Sequence, residues 1–133
     1  MKTTVWVLQG LLAIAFLGAG ATKLFTAREA LVSNPQMGWA ADFSATQIKL
    51  IGGAEVAGAE GLILPAALSI APVLTPVAGA GLAVLMLGAV ATHLSRGENP
   101  AAPAVLALLC IVVAVGRIVL RRKQNGSAQA SLA

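Results

Sequence analysis

The apolar positions of this chain gather into four long windows, residues 4–22, 48–68, 76–94 and 102–120, set apart by polar stretches. Each window approaches the roughly 17–25 residues that an α-helix needs to cross a hydrocarbon core of about 30 Å. Backbone inside lipid must satisfy its own hydrogen bonds, which leaves helices as the element for windows of this length. The pattern predicts helices over about 4–24, 45–68, 76–94 and 102–120, forming one domain over residues 1–120. With mostly short links, an all-α antiparallel bundle of four transmembrane helices is the economical arrangement.

Polar punctuation sets the boundaries. Ser44-Ala45-Thr46-Gln47 has the form of a capping box, in which the Ser and Gln side chains satisfy amides at a helix start. Pro65 removes the hydrogen bond to the Gly61 carbonyl, so a kink is expected there. Pro72 and Pro76 mark the turn into the third helix, and "SRGENPAAP" the turn into the fourth. The segment 25–47 is the one sizeable connection. It predicts a short surface helix over "TAREALVSN", broken at Asn34-Pro35, with Trp39 and Phe43 at a membrane boundary. From Arg121 onward the chain is polar and basic, and residues 121–133 are expected to be a disordered tail. Lys2, the following apolar run and Ala19-Gly20-Ala21 imitate a cleavable signal peptide, but the run is longer than such a segment and is expected to stay as the first span. Small residues at four-residue spacing predict the packed faces: Gly53, Ala57 and Gly61 on a central second helix, and Ala80, Val84 and Gly88 on the third.

Composition changes the picture in one respect. The 133 residues are 58% hydrophobic and 11% charged, with a mean hydropathy of +0.87, too little polar surface to cover a globule in water. The bilayer is therefore the first partner. A net charge of +4 would suggest nucleic acid in a soluble domain, but the basic residues sit mainly at the ends of apolar segments, and no nucleic-acid partner is expected. Lys2 and Arg121-Arg122-Lys123 mark the terminal side, against Lys23, Arg28, Lys49 and Arg96 on the loop side. The dense cluster after the fourth helix favours both termini in the cytoplasm. Cys110 stands alone in the fourth window, which permits no internal disulfide or CxxC pair and predicts a buried structural thiol.

Ionisable residues inside the windows are the candidate chemistry, because charge in hydrocarbon is expensive. An antiparallel bundle brings the end of the first helix, the start of the second and the end of the third to one face, gathering Lys23, Glu55 and His93 at comparable depth as a candidate binding cluster. Glu55, about 15 Å from its helix cap, must shed its charge or find a cation, which Lys23 or His93 supplies. Glu60 lies about 140° around the helix from Glu55, so the two carboxyls form no acid/base dyad. It is expected to be neutral near the midplane, donating to a carbonyl loosened by Pro65. At the opposite face Gln9 and Arg117 share a depth, and Arg117 is expected to snorkel toward the headgroups. No catalytic set, metal motif or cofactor motif is apparent, which leans away from an enzyme.

The stretches "GATKL", "MGW", "IGGAEVAGAEGLILP", "LTPVAGAGLAVLMLGAVATHLSRGE" and the late "VGR" together resemble the DoxX-like family of small bacterial membrane proteins. The resemblance covers almost the whole chain, with Lys23, Glu55, His93 and Arg117 as its polar landmarks. Glu60 departs from it, standing where an apolar residue is expected between two small ones. The resemblance implies a four-helix bundle in a bacterial inner membrane. It also implies an association with redox systems, since the family takes its name from a subunit of a thiosulfate:quinone oxidoreductase; quinone enters as a cofactor on that analogy alone. Three functions follow as expectations. The first is a noncatalytic subunit or assembly factor that binds other membrane proteins or a second copy of itself. The others are a quinone-linked redox component and a small proton-coupled transporter.

Overall fold

The computed structural model describes residues 1–133, and all its regular elements are helical. Helix α1 spans Lys2–Phe25, α2 spans Arg28–Ser33, and a 3-10 segment follows over Pro35–Asp42. Helices α3 (Ala45–Ala67), α4 (Leu74–Ser95) and α5 (Ala101–Leu132) complete the chain. Four of these, α1, α3, α4 and α5, are long and apolar enough to cross a membrane. They close a ring in which α1 packs on α3, α3 on α4, α4 on α5, and α5 back on α1. The protein is an all-α membrane protein.

The core is a narrow seam. Leu12 and Phe16 of α1 meet Ala59 and Leu62 of α3, Leu82 and Met86 of α4, and Cys110 and Val113 of α5. Only 24 of 133 residues are buried, while Ile14, Val84 and Leu108 stand 71%, 70% and 61% exposed. In water such a surface would drive aggregation; in a bilayer it meets acyl chains that are as apolar as the core.

Glycine contacts show which faces meet, and they differ from the expected stripe. A Cβ on Gly20 would lie 2.7 Å from the Gly52 carbonyl oxygen, and one on Gly52 would lie 2.8 Å from the Gly20 oxygen. Gly58 is covered by Leu82 and Gly79 by the α5 backbone at Cys110. Gly53 and Gly88, by contrast, have open space around them, and Ala57, Ala80 and Val84 face outward. Of the six small positions expected at the interfaces, only Gly61, against Ala78, packs tightly. The packed face of α3 is Gly52, Glu55, Ala59 and Leu62, one position off the predicted row.

The ends of the elements follow local chemistry. The capping box forms as the sequence implies: Ser44 Oγ accepts from the Gln47 amide at 3.1 Å, and Gln47 Oε1 accepts from the Ser44 amide at 2.9 Å. Helix α3 continues through Pro65 to Ala67. Helix α5 does not stop at residue 120. The expected disordered tail is helical to Leu132 and exposed throughout. Its Arg, Lys, Gln and Ala residues favour helix and it has no proline, so an already nucleated helix propagates through Gly126.

Candidate functional site

The site begins with the glycine contact between α1 and α3. Lys23 lies three residues past Gly20 and Glu55 three past Gly52, each about 4.5 Å along its axis in opposite directions. Helical side chains lean toward their own N-terminus. In an antiparallel pair, Lys23 therefore leans inward and Glu55 outward, and the two meet. Lys23 Nζ donates to both carboxylate oxygens of Glu55 at 3.0 Å. The Glu55 side chain is 3% exposed and that of Lys23 14%. Nζ also stands 5.3 Å from the centroid of the Trp39 ring, within cation–π range.

Trp39 arrives on the 3-10 segment, which covers the loop-side end of the bundle. Leu31, Ala40 and Ile48 form a small second core beneath it. Arg28 donates through Nε to the Phe43 carbonyl at 2.6 Å and through Nη2 to the Ala41 carbonyl at 3.1 Å. Lys49 Nζ donates to the Leu24 carbonyl at 2.9 Å, at the end of α1. Arg28 and Lys49 thus satisfy backbone oxygens that the helix ends and turns leave open.

Under this cover lies a cleft of about 370 Å³, lined by Lys23, Glu55 and His93 together with Phe16, Trp39, Phe43, Met86 and further apolar residues. All three residues of the candidate cluster border it. Lys23 and Glu55 are brought into contact; His93 is not joined to them. Its Nδ1 lies 2.7 Å from Glu98 Oε2. The turn explains the pairing. Gly97 takes a left-handed φ of +68°, and the Glu98 amide donates back to the His93 carbonyl at 2.8 Å. This Schellman closure folds residue 98 over residue 93. Arg96 then bridges the two loops, donating to Glu98 Oε1 at 2.6 Å and to Asp42 Oδ1 at 2.9 Å. The neighbouring Arg96, and after it His93, hold the Glu98 carboxyl below the usual carboxylate range. Glu98 was missed from sequence; a His five residues before a Glu, with the Gly of "HLSRGE" between them, was its signal.

The remaining intramembrane polar residues separate into two cases. Gln9 is fully buried, donates through Nε2 to the Leu62 carbonyl, and accepts at Oε1 from Arg117 Nε. The Arg117 guanidinium also stacks 4.4 Å from the Trp6 ring centroid. Arg117 therefore does not snorkel as expected, because a buried amide and an aromatic face hold it inside the bundle. Trp6 went unrecognised as its partner, although its place one turn before Gln9 would have suggested it. Arg117 Nη2 and the buried Thr75 Oγ1 have no hydrogen-bond partner in the chain. Glu60 is the second case. It is exposed on the outer face of α3, and the expected bond to a carbonyl near Pro65 does not form, since its side chain points away from the seam. No group of three or more His, Cys, Asp or Glu is placed to hold a metal ion.

The family model of the DoxX-like family matches residues 7–115. The chain belongs to the DoxX-like family. That match runs from within α1 to the middle of α5 and includes Lys23, Glu55 and His93, so the cleft is built entirely within the family domain. It stops short of Arg117 and the tail helix. Among curated proteins and solved structures, none matches this DoxX-like chain.

Proposed function

We propose that this DoxX-like protein is a noncatalytic membrane subunit whose cleft holds a small, mostly apolar molecule with a hydrogen-bond-accepting head. The observation that carries this reading is the Lys23 ammonium on the wall of a largely apolar cleft. An ammonium has three donors and no acceptor. Glu55 engages it with both oxygens, which keeps the charge inside the membrane and fixes its position, and leaves donor capacity for a ligand. The volume suits a small headgroup with the first part of a tail. The protein then presents this molecule to a partner membrane protein. Its setting is a bacterial inner membrane with both termini cytoplasmic, supported by Lys2 and Arg121-Arg122-Lys123 on one side. The cleft opens to the other side.

One observation favours a quinone-linked variant of this reading. Lys23 and the His93–Glu98 pair border the same cleft, and a quinone carries carbonyl acceptors at both ends of its ring. Trp39 fluorescence in a Trp6→Phe background distinguishes the readings, titrated with decyl-benzoquinone, decanoate and decane in detergent. The expected result is a saturable change with the head-bearing probes and none with decane, weakened about tenfold or more by Lys23→Met. Response to the quinone alone selects the redox variant. Equal binding of decane, or unchanged binding by Lys23→Met, overturns both.

A further inference from the structure

A second concavity lies at the opposite end of the bundle, between the start of α4 and the point where α5 leaves its apolar window. Val73, Val77, Ala80 and Ile118 form its walls, Arg121 and Arg122 stand at its mouth, and its volume is about 510 Å³. The order of these residues with depth is the informative feature. Arg121 and Arg122 follow directly on Leu120, the last residue of the apolar window, which sets them at headgroup level. Ile118 lies one turn deeper on α5, and Val77 and Ala80 lie one and two turns deeper than Val73 on α4. The groove is thus cationic at the membrane surface and apolar below it.

We propose that this groove binds one anionic phospholipid, with its phosphate between Arg121 and Arg122 and an acyl chain along Val77, Ala80 and Ile118. Charge complementarity identifies the occupant. None of the five acidic residues of the chain (Glu29, Asp42, Glu55, Glu60 and Glu98) lines the groove, and neither arginine forms an ion pair within the chain. Lys2 and Lys123 add to the same field. Guanidinium groups match phosphate oxygens in a planar fork, and Asn125, one turn beyond Arg121, adds an amide at the mouth. A soluble anion would use the arginines and leave the apolar walls unoccupied; a phospholipid uses both.

Native mass spectrometry of the full chain tests this, after reconstitution with equal amounts of phosphatidylglycerol and phosphatidylcholine of identical acyl chains. Three variants accompany the wild type. The double change Arg121→Gln and Arg122→Gln removes the mouth charges, which are exposed beyond the bundle, so folding does not depend on them. Ala80→Phe fills the groove and leaves every charge in place. The pair Lys2→Gln and Lys123→Gln removes equal charge outside the groove. Wild type and the lysine pair are expected to retain one phosphatidylglycerol in preference to phosphatidylcholine. The arginine pair and Ala80→Phe are expected to lose that preference about tenfold or more. Equal retention of the two lipids by wild type, equal losses for the lysine and arginine pairs, or an unchanged preference in both groove variants overturns the proposal.

Discussion

Lys23 and Glu55 show how one ion pair makes a charged side chain tolerable inside a membrane. Each alone would leave a charge in a low-dielectric interior, and together they leave none. Removing one partner from a buried pair costs on the order of 3–5 kcal/mol in soluble proteins, whereas replacing both with apolar groups is often neutral. Glu55→Ala is therefore expected to lower the detergent melting temperature clearly, and Glu55→Leu combined with Lys23→Met to restore most of it. Ligand binding should not return with stability in that double variant, since the donor is gone. A double variant as unstable as Glu55→Ala would mean that the pair is not the local source of stability. Glu60 provides the contrast. It is exposed and forms no ion pair in the chain, so Glu60→Leu should not destabilise the fold in the same assay.

At the scale of elements, the backbones of α1 and α3 meet at glycines whose row the sequence left ambiguous. Gly52 and Gly53 are adjacent and equally small, and periodicity alone does not say which one faces α1; the small-residue spacing pointed to Gly53. What settles the face is Glu55, which must turn inward and carries Gly52, three residues before it, onto the same side. Gly52→Ala is expected to destabilise by about 1–3 kcal/mol, because the added carbon would lie 2.8 Å from the Gly20 oxygen. Gly53→Ala has open space and should be neutral or stabilising by up to about 1 kcal/mol through helix propensity. Thermal melts of the two variants side by side decide the register, and equal losses would contradict it. The loops carry a pH dependence of definite sign. The folded Glu98 carboxyl titrates below its ordinary range, so its bonds to Arg96 and His93 stabilise the loop closure above that range. The contribution is lost as pH falls through the lowered value. Amide protection factors in residues 35–42, which correct for the slower intrinsic exchange in acid, should fall under those acidic conditions in wild type, and Glu98→Gln should show lowered protection at neutral pH already.

For the whole molecule, the number of spans, their approximate limits, the capping box and the meeting of Lys23, Glu55 and His93 at one cleft were legible in the sequence, because apolar length and antiparallel order determine them. Beyond the glycine row of α3 and the exposure of Glu60, three things were not. The partner of His93 depended on a left-handed turn at Gly97 that folds Glu98 backward. The fate of Arg117 depended on Trp6 and Gln9, more than a hundred residues away in the chain. The tail helix depended on propagation from a long helix already formed, not on any apolar period of its own. Each is a tertiary or cooperative effect acting on residues whose local signal was neutral. The same organisation gives the protein two chemically different ends: a loop-side cleft with a paired lysine, and a terminal side whose basic residues form no ion pair. Uptake of a ligand by that cleft is the property on which the proposed function depends. The most direct measurement is photolabelling in proteoliposomes with a diazirine carried on the tail of decanoate or decyl-benzoquinone, followed by peptide mapping. Saturable adducts on Phe16, Trp39, Phe43 and Met86, abolished by Lys23→Met, are the predicted result. Adducts confined to lipid-facing residues such as Ile14, Val84 and Leu108, and unchanged by Lys23→Met, would contradict it.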